Sequence, residues 1–170
     1  MQKDDILEIL NFWNFWNNQQ FLGIKRENLL KKLFELYSKN FVVSIIGPRR
    51  TGKSVIIRQF ANELINNGIS PRDILIINFE DYRWTGLDLS LLDKIYSVYL
   101  EKIKTNKIQK PYIFLDEVHK IPKWERFVRT LLEKEEAYIF VSGSSSKLLS
   151  KELATLLTGR NLIMEILFKF

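Results

Sequence analysis

The chain has 170 residues, 46% hydrophobic and 27% charged, with a formal net charge of +6 and a pI near 9.4. That length suits one domain with a proper core, no apolar run approaches the ~20 residues of a membrane span, and the opening MQKDDILEIL lacks a signal peptide's basic start. With no cysteine and one histidine, disulfides, thiolate zinc sites, cysteine catalysis and multi-histidine metal centres are excluded, and a reducing cytoplasm is the expected setting.

Residues 1–40 read as a helical, aromatic-rich extension ahead of a main unit at 41–170. Ile6, Leu7, Ile9 and Leu10 give residues 1–20 the pattern of a helix or helix pair. The tandem Asn11-Phe12-Trp13-Asn14-Phe15-Trp16-Asn17-Asn18 sets four large aromatics close together, which are expected to cover the flank of the core. A lid over a bound base, or a docking strip for another subunit, is the functional alternative. Gly23 breaks the pattern, and Leu29, Leu30, Leu33, Phe34, Leu36 and Tyr37 restore helical spacing over residues 25–38. Arg26 opens that helix and reads as a solvated helix start, with approach to the nucleotide as the alternative.

Phe41 to Ile46 is a buried-type strand that runs straight into Gly47-Pro48-Arg49-Arg50-Thr51-Gly52-Lys53-Ser54. This fits G-x-x-x-x-G-K-[ST], a loop that cradles phosphates. Gly47 and Gly52 allow a tight turn, so that successive backbone N–H groups converge on phosphate oxygens. Lys53 would bring its charge to the β- and γ-phosphates, and the Ser54 hydroxyl would ligate Mg²⁺. Residues Gly47 to Val55 are therefore the expected nucleotide cradle, with the next helix adding its positive dipole end.

That helix carries Val55, Ile56, Ile57, Phe60, Ala61, Leu64 and Ile65 on its apolar face and ends at Asn67-Gly68. A turn at Ser70-Pro71-Arg72-Asp73 leads to a strand, Ile74 to Ile77, closing in Asn78-Phe79-Glu80-Asp81. Asp81 stands where open α/β sheets bind ligands, and its two readings are contact with a metal-bound water and turn capping. Asp88 to Lys104 is a helix with a weak capping box at Ser90 and Asp93. Tyr112 to Leu115 is a third strand, Lys123 to Glu136 a helix with Trp124, Phe127, Val128, Leu131 and Leu132 inside, and Ala137 to Val141 a fourth strand. Leu148 to Leu157 reads as a helix and Asn161 to Phe170 as a fifth strand. Strands alternating with helices predict a three-layer α/β sandwich on a parallel sheet of about five strands, of the P-loop NTPase class.

Asp116 and Glu117 follow the third strand. An Asp there holds Mg²⁺ through water opposite the loop Ser, and the adjacent Glu is placed to deprotonate an attacking water. Ser142, closing the fourth strand, is a candidate to hydrogen-bond the γ-phosphate or that water. Arg160 is a candidate to stabilise transition-state charge in its own site or a neighbour's; a surface arginine is the alternative. His119 reads as an exposed helix start with no assigned role. The lysines are scattered, so the basic balance permits nucleic-acid contact without requiring it.

GPRRTGKS, IFLDEVHKIPKWERFV and IFVSGSSSKLLSKELATLLTGR together resemble the AAA-type ATPases common in archaea and bacteria, over roughly residues 20 to 168. The resemblance implies that ATP and Mg²⁺ are the cofactors, with Asp116 and Glu117 as the metal-holding and catalytic carboxylates. It also implies Ser142 as the sensor, Arg160 as the arginine before the last core strand, and Trp124 as a structural aromatic. The expected function is an Mg²⁺-dependent ATPase core, a switch or motor; a nucleotide-binding or interaction module without hydrolysis is the alternative. Members usually continue with a helical lid and an effector domain, which this chain is expected to lack, so its partners beyond ATP, ADP and self-association stay open.

Overall fold

The computed structural model describes residues 1–37, 40–148, 154, 155, 157 and 159–168. Five strands form one parallel sheet: β1 (Val42–Ile46), β2 (Ile74–Asn78), β3 (Tyr112–Asp116), β4 (Tyr138–Gly143) and β5 (Asn161–Glu165). Their spatial order is β2-β3-β4-β1-β5, every neighbouring pair being parallel. Strands that alternate in chain order with helices have to cross over, and both sheet faces become covered. The continuous apolar runs VVSII, ILIIN and YIFLD follow from that double burial.

Side chains of period two divide each strand between two cores. Leu75, Ile77, Ile113, Leu115, Ile139 and Val141 face α1 (Lys3–Trp13), α4 (Leu89–Lys102) and α5 (Trp124–Glu133). Ile74, Ile76, Phe114, Phe140 and Met164 face α2 (Glu27–Leu36) and α3 (Lys53–Asn66). A short α6 (Ser145–Leu148) follows β4. The helix expected over 148–157 falls largely outside the described residues, as do residues 169 and 170 of the expected fifth strand.

Several boundaries differ from the sequence reading: the fifth strand, expected to run to Phe170, ends at Glu165, and three further differences are local. The helix expected over residues 1–20 stops at Trp13, because the fully buried Asn14 turns its amide into the sheet instead of propagating the helix. Its Oδ1 accepts from Ile76 N–H at 2.7 Å, and its Nδ2 donates to Ile76 C=O at 2.9 Å. Trp16 Nε1 donates to Ile74 C=O at 2.9 Å and Trp84 Nε1 to Asn78 C=O at 2.8 Å. Alternate residues 74, 76 and 78 of the border strand are thus paired by side chains where a further strand would otherwise bond. Three of the four aromatics cover the core's flank, Trp13 and Trp16 on one face of the sheet and Phe15 on the other; Trp16 stacks on Tyr99 at 6.1 Å between centroids, and Phe12 stands largely exposed. At α4 the cap is Asp88, whose side chain accepts from Leu91 N–H at 2.8 Å, and not Ser90. Finally, β4 runs to Gly143, two residues past the expected Val141, and Ser142 lies at the strand's end as expected.

Candidate functional site

The strand order sets the site. Register pairs Ile45 of β1 with Ser142 of β4, and Leu115 of β3 with Val141 of β4. The loop after β1 and the carboxylates after β3 therefore flank Ser142 at the carboxyl edge, about 10 Å apart by the interstrand spacing.

Glycine is required at two places in the loop. A Cβ on Gly47 would lie 2.4 Å from the Ile166 carbonyl oxygen and 3.0 Å from Thr51 Oγ1, so no side chain fits. Gly52 caps α3 with φ 89°, a left-handed conformation that a side chain would strain. Thr51 Oγ1 donates to the Pro48 carbonyl at 2.8 Å and tightens the loop from within. Arg26 backs it from outside, its Nη1 donating to Thr51 C=O at 2.8 Å. This overturns the expected solvated role for Arg26. Gln59, buried on α3, donates to the Leu22 and Ile24 carbonyls and accepts from Arg26 N–H, so the 22–26 segment is laid along α3. A glutamine amid Ile56, Ile57 and Phe60 was the one sequence sign of this clamp.

Lys53 is buried, its Nζ donating to the Gly47 and Pro48 carbonyls at 2.9 and 3.0 Å and standing 3.7 Å from Glu117 Oε1. Loop lysine and strand-end glutamate thus face each other across one cleft of about 510 Å³, lined by Arg49, Arg50, Gly52, Lys53, Ser54, Val55, Glu80 and Glu117. Glu80 spans its rim, 3.7 Å from Arg49 and 3.5 Å from Lys120. Asp116 lies beneath, buried. Burial pushes its carboxyl above the usual range, while hydrogen bonds from Ser142 and Ser54 and the charges of Arg58 and Lys53 pull it down. Burial, with the Asp116 charge, likewise raises Glu117 against the opposing Lys53 and His119. Glu117 is also held at φ 56°, ψ 46°, a conformation that costs a non-glycine residue roughly 1–2 kcal/mol.

Ser142 meets Asp116 and Glu117. Its hydroxyl donates to Asp116 Oδ1 and accepts from Glu117 N–H at 2.9 Å, so it is turned toward the carboxylate pair. Arg160 is not brought into this site. It precedes β5 at the amino edge, where its carbonyl accepts from Val42 N–H at 2.9 Å and its Nη2 lies 3.9 Å from Glu133. Five residues of strand separate that level from Gly47, about 16 Å. Asp81 caps its own turn, accepting from Arg83 N–H at 2.9 Å, and lines the neighbouring cleft with Phe12, Trp13 and Tyr82. His119, expected as an exposed helix start, is half-buried with Nδ1 3.5 Å from Glu117 Oε2.

Among the described residues no three His, Cys, Asp or Glu side chains form a metal cluster. The pair Ser54 and Asp116 does fit Mg²⁺, since it offers hard oxygen donors and leaves the remaining positions to water and phosphate, as that ion prefers. A carboxylate whose burial disfavours its charge is also one that a nearby cation would stabilise. No helix among the described residues is long and apolar enough to cross a membrane.

Residues 39–168 match the family described as an AAA domain. An uncharacterised protein of Haemophilus influenzae is 34% identical over 145 residues, 84% of this chain and 35% of that protein. One of Methanocaldococcus jannaschii is 41% identical over 128 residues, 75% of this chain and 26% of that protein. The chain therefore spans about a third or less of these relatives. Among solved structures, Saccharomyces cerevisiae Hsp104 in its casein complex superposes with TM-score 0.62 at 14% identity, over 86% of this chain and 27% of that one. That likeness is one of fold.

Proposed function

Because the chain belongs to the AAA-domain family, we propose that it binds ATP with Mg²⁺ in the cleft between Lys53 and the Asp116–Glu117 pair and hydrolyses it to ADP and phosphate. The observation that carries this reading is the 3.7 Å approach of the Lys53 ammonium to Glu117 within one cleft. Backbone N–H groups between Gly47 and Val55, Pro48 excepted because it has none, donate to phosphate oxygens, helped by Lys53 and by Arg49 and Arg50 at the rim. Lys53 has carbonyl partners to leave and a phosphate to take. Ser54 and Asp116 would hold Mg²⁺, which when bound would neutralise charge on the terminal phosphates. Glu117 accepts the proton of the attacking water, and a carboxyl raised above its ordinary range makes a better base near neutral pH. Ser142 positions the Asp116 carboxylate and the Glu117 backbone through one hydroxyl. Arg160 acts, in this reading, on the site of a neighbouring copy, since its own lies across the sheet.

Phosphate release, with calorimetry on a non-hydrolysable ATP analogue, tests the assignment. Glu117→Gln is expected to keep analogue affinity and slow hydrolysis by about 100-fold or more. Lys53→Ala is expected to lose analogue binding itself. Full turnover in Glu117→Gln would remove the base from its role.

A further inference from the structure

His119 is the chain's single histidine, and among the described residues its Nδ1 is the one buried side-chain nitrogen or oxygen without a hydrogen-bond partner. The local backbone explains where it points. After the left-handed turn at Glu117, residues Val118–Lys120 wind one 3₁₀ turn, and the fully buried Val118 and Ile121 anchor it in the core. Between those anchors, the imidazole is folded back over the end of β4. A Cβ on Gly143 would lie 3.1 Å from Nδ1 and 3.2 Å from Leu148. Gly143 lies within β4 and has no positive φ, so it is glycine for space, and part of that space belongs to the imidazole. On its other side Nδ1 faces Glu117 Oε2 at 3.5 Å, slightly beyond a hydrogen bond. Glu117 is thus flanked by two nitrogens, Lys53 at Oε1 and His119 at Oε2.

The two flanks have different fates. In the proposed reaction Lys53 turns to phosphate, and Glu117 loses the partner that now holds Oε1. The geometry points to His119 as a positioning residue: its Nδ1–H takes Oε2 of Glu117 and keeps that carboxylate aimed at the water once Lys53 has left. This rests on the reading of Glu117 as the base. A histidine nitrogen facing a carboxylate carries its proton there, which fixes the tautomer. Gly143 is the second half of the device, since it leaves room for the ring.

Kinetics and spectroscopy test it separately. His119→Ala is expected to lower kcat about 10-fold or more while the affinity for a non-hydrolysable ATP analogue stays unchanged, because misaiming a reacting group costs rate without costing binding. His119→Asn, which keeps an N–H near the Nδ1 position, is expected to restore most of the rate, and Gly143→Ala, which displaces the ring, to resemble His119→Ala. In the full chain, nitrogen NMR sees one imidazole, and its Nδ1 signal is expected to move on Glu117→Gln. An unchanged kcat in His119→Ala, a parallel loss of analogue affinity, an Asn variant as slow as Ala, or an Nδ1 signal indifferent to Glu117→Gln would each overturn the assignment. A Glu117→Gln variant that hydrolyses normally would sink the base itself, whereas a dead Glu117→Gln beside a fully active His119→Ala sinks only the positioning role.

Discussion

Asp81 follows β2 with its side chain only 4% exposed, accepting from Trp13 Nε1 at 2.8 Å and from the Arg83 guanidinium at 2.6 Å. Those partners, Arg83 first, hold its carboxyl down at about 2, against an ordinary 3.8. A depressed carboxylate stabilises the fold above its unfolded value and loses that contribution as pH falls through the folded one. Acid titration from pH 4 to 2 is therefore expected to release Trp13 from Asp81, read as a change in tryptophan emission that Asp81→Asn abolishes. The residue's place at the sheet's ligand edge was legible in the sequence, but its direction was not, because period-two reasoning ends where the strand ends. The same limit explains Ser142. Its place at the strands' carboxyl edge could be read from the strand pattern, while its neighbours there, β1 on one side and β3 on the other, are a matter of strand order. His119 was missed for a related reason, since the left-handed Glu117 re-aims everything after it and no residue type there announces that conformation.

At the level of elements, the strands were readable because burial on both faces demands uninterrupted apolar runs. Strand order was not, since each run looks alike to a local pattern. The border of β2 shows what such a pattern cannot contain. Asn14 supplies both a donor and an acceptor to Ile76, and this exchange requires a helix end and a sheet margin to meet. Asn14→Ala leaves the buried Ile76 N–H and C=O without partners, an expected loss on the order of 3 kcal/mol, measurable as a lower urea midpoint with unchanged slope. An exposed margin also pairs with other chains, so the variant is expected to aggregate at concentrations where the parent stays dispersed.

For the molecule as a whole, the parallel sheet collects the loop, the carboxylate pair and Ser142 at one edge and leaves Arg160 at the other. Binding at that edge stabilises only the folded chain. Mg²⁺-ATP analogue at 100 times its dissociation constant is expected to add about 2.7 kcal/mol, seen as a rise of several degrees in Tm that Lys53→Ala does not show. Arg160→Ala is expected to leave analogue affinity and dilute turnover unchanged and to remove any rise in specific activity with protein concentration. The sequence located these edges through the order of its motifs; the distance between them needed the strand register. A further consequence comes from Asn14, Trp16 and Trp84. With their side-chain hydrogen bonds spent on residues 74, 76 and 78, the β2 flank is closed to newly arriving polypeptide, and lateral recruitment by main-chain pairing is refused there.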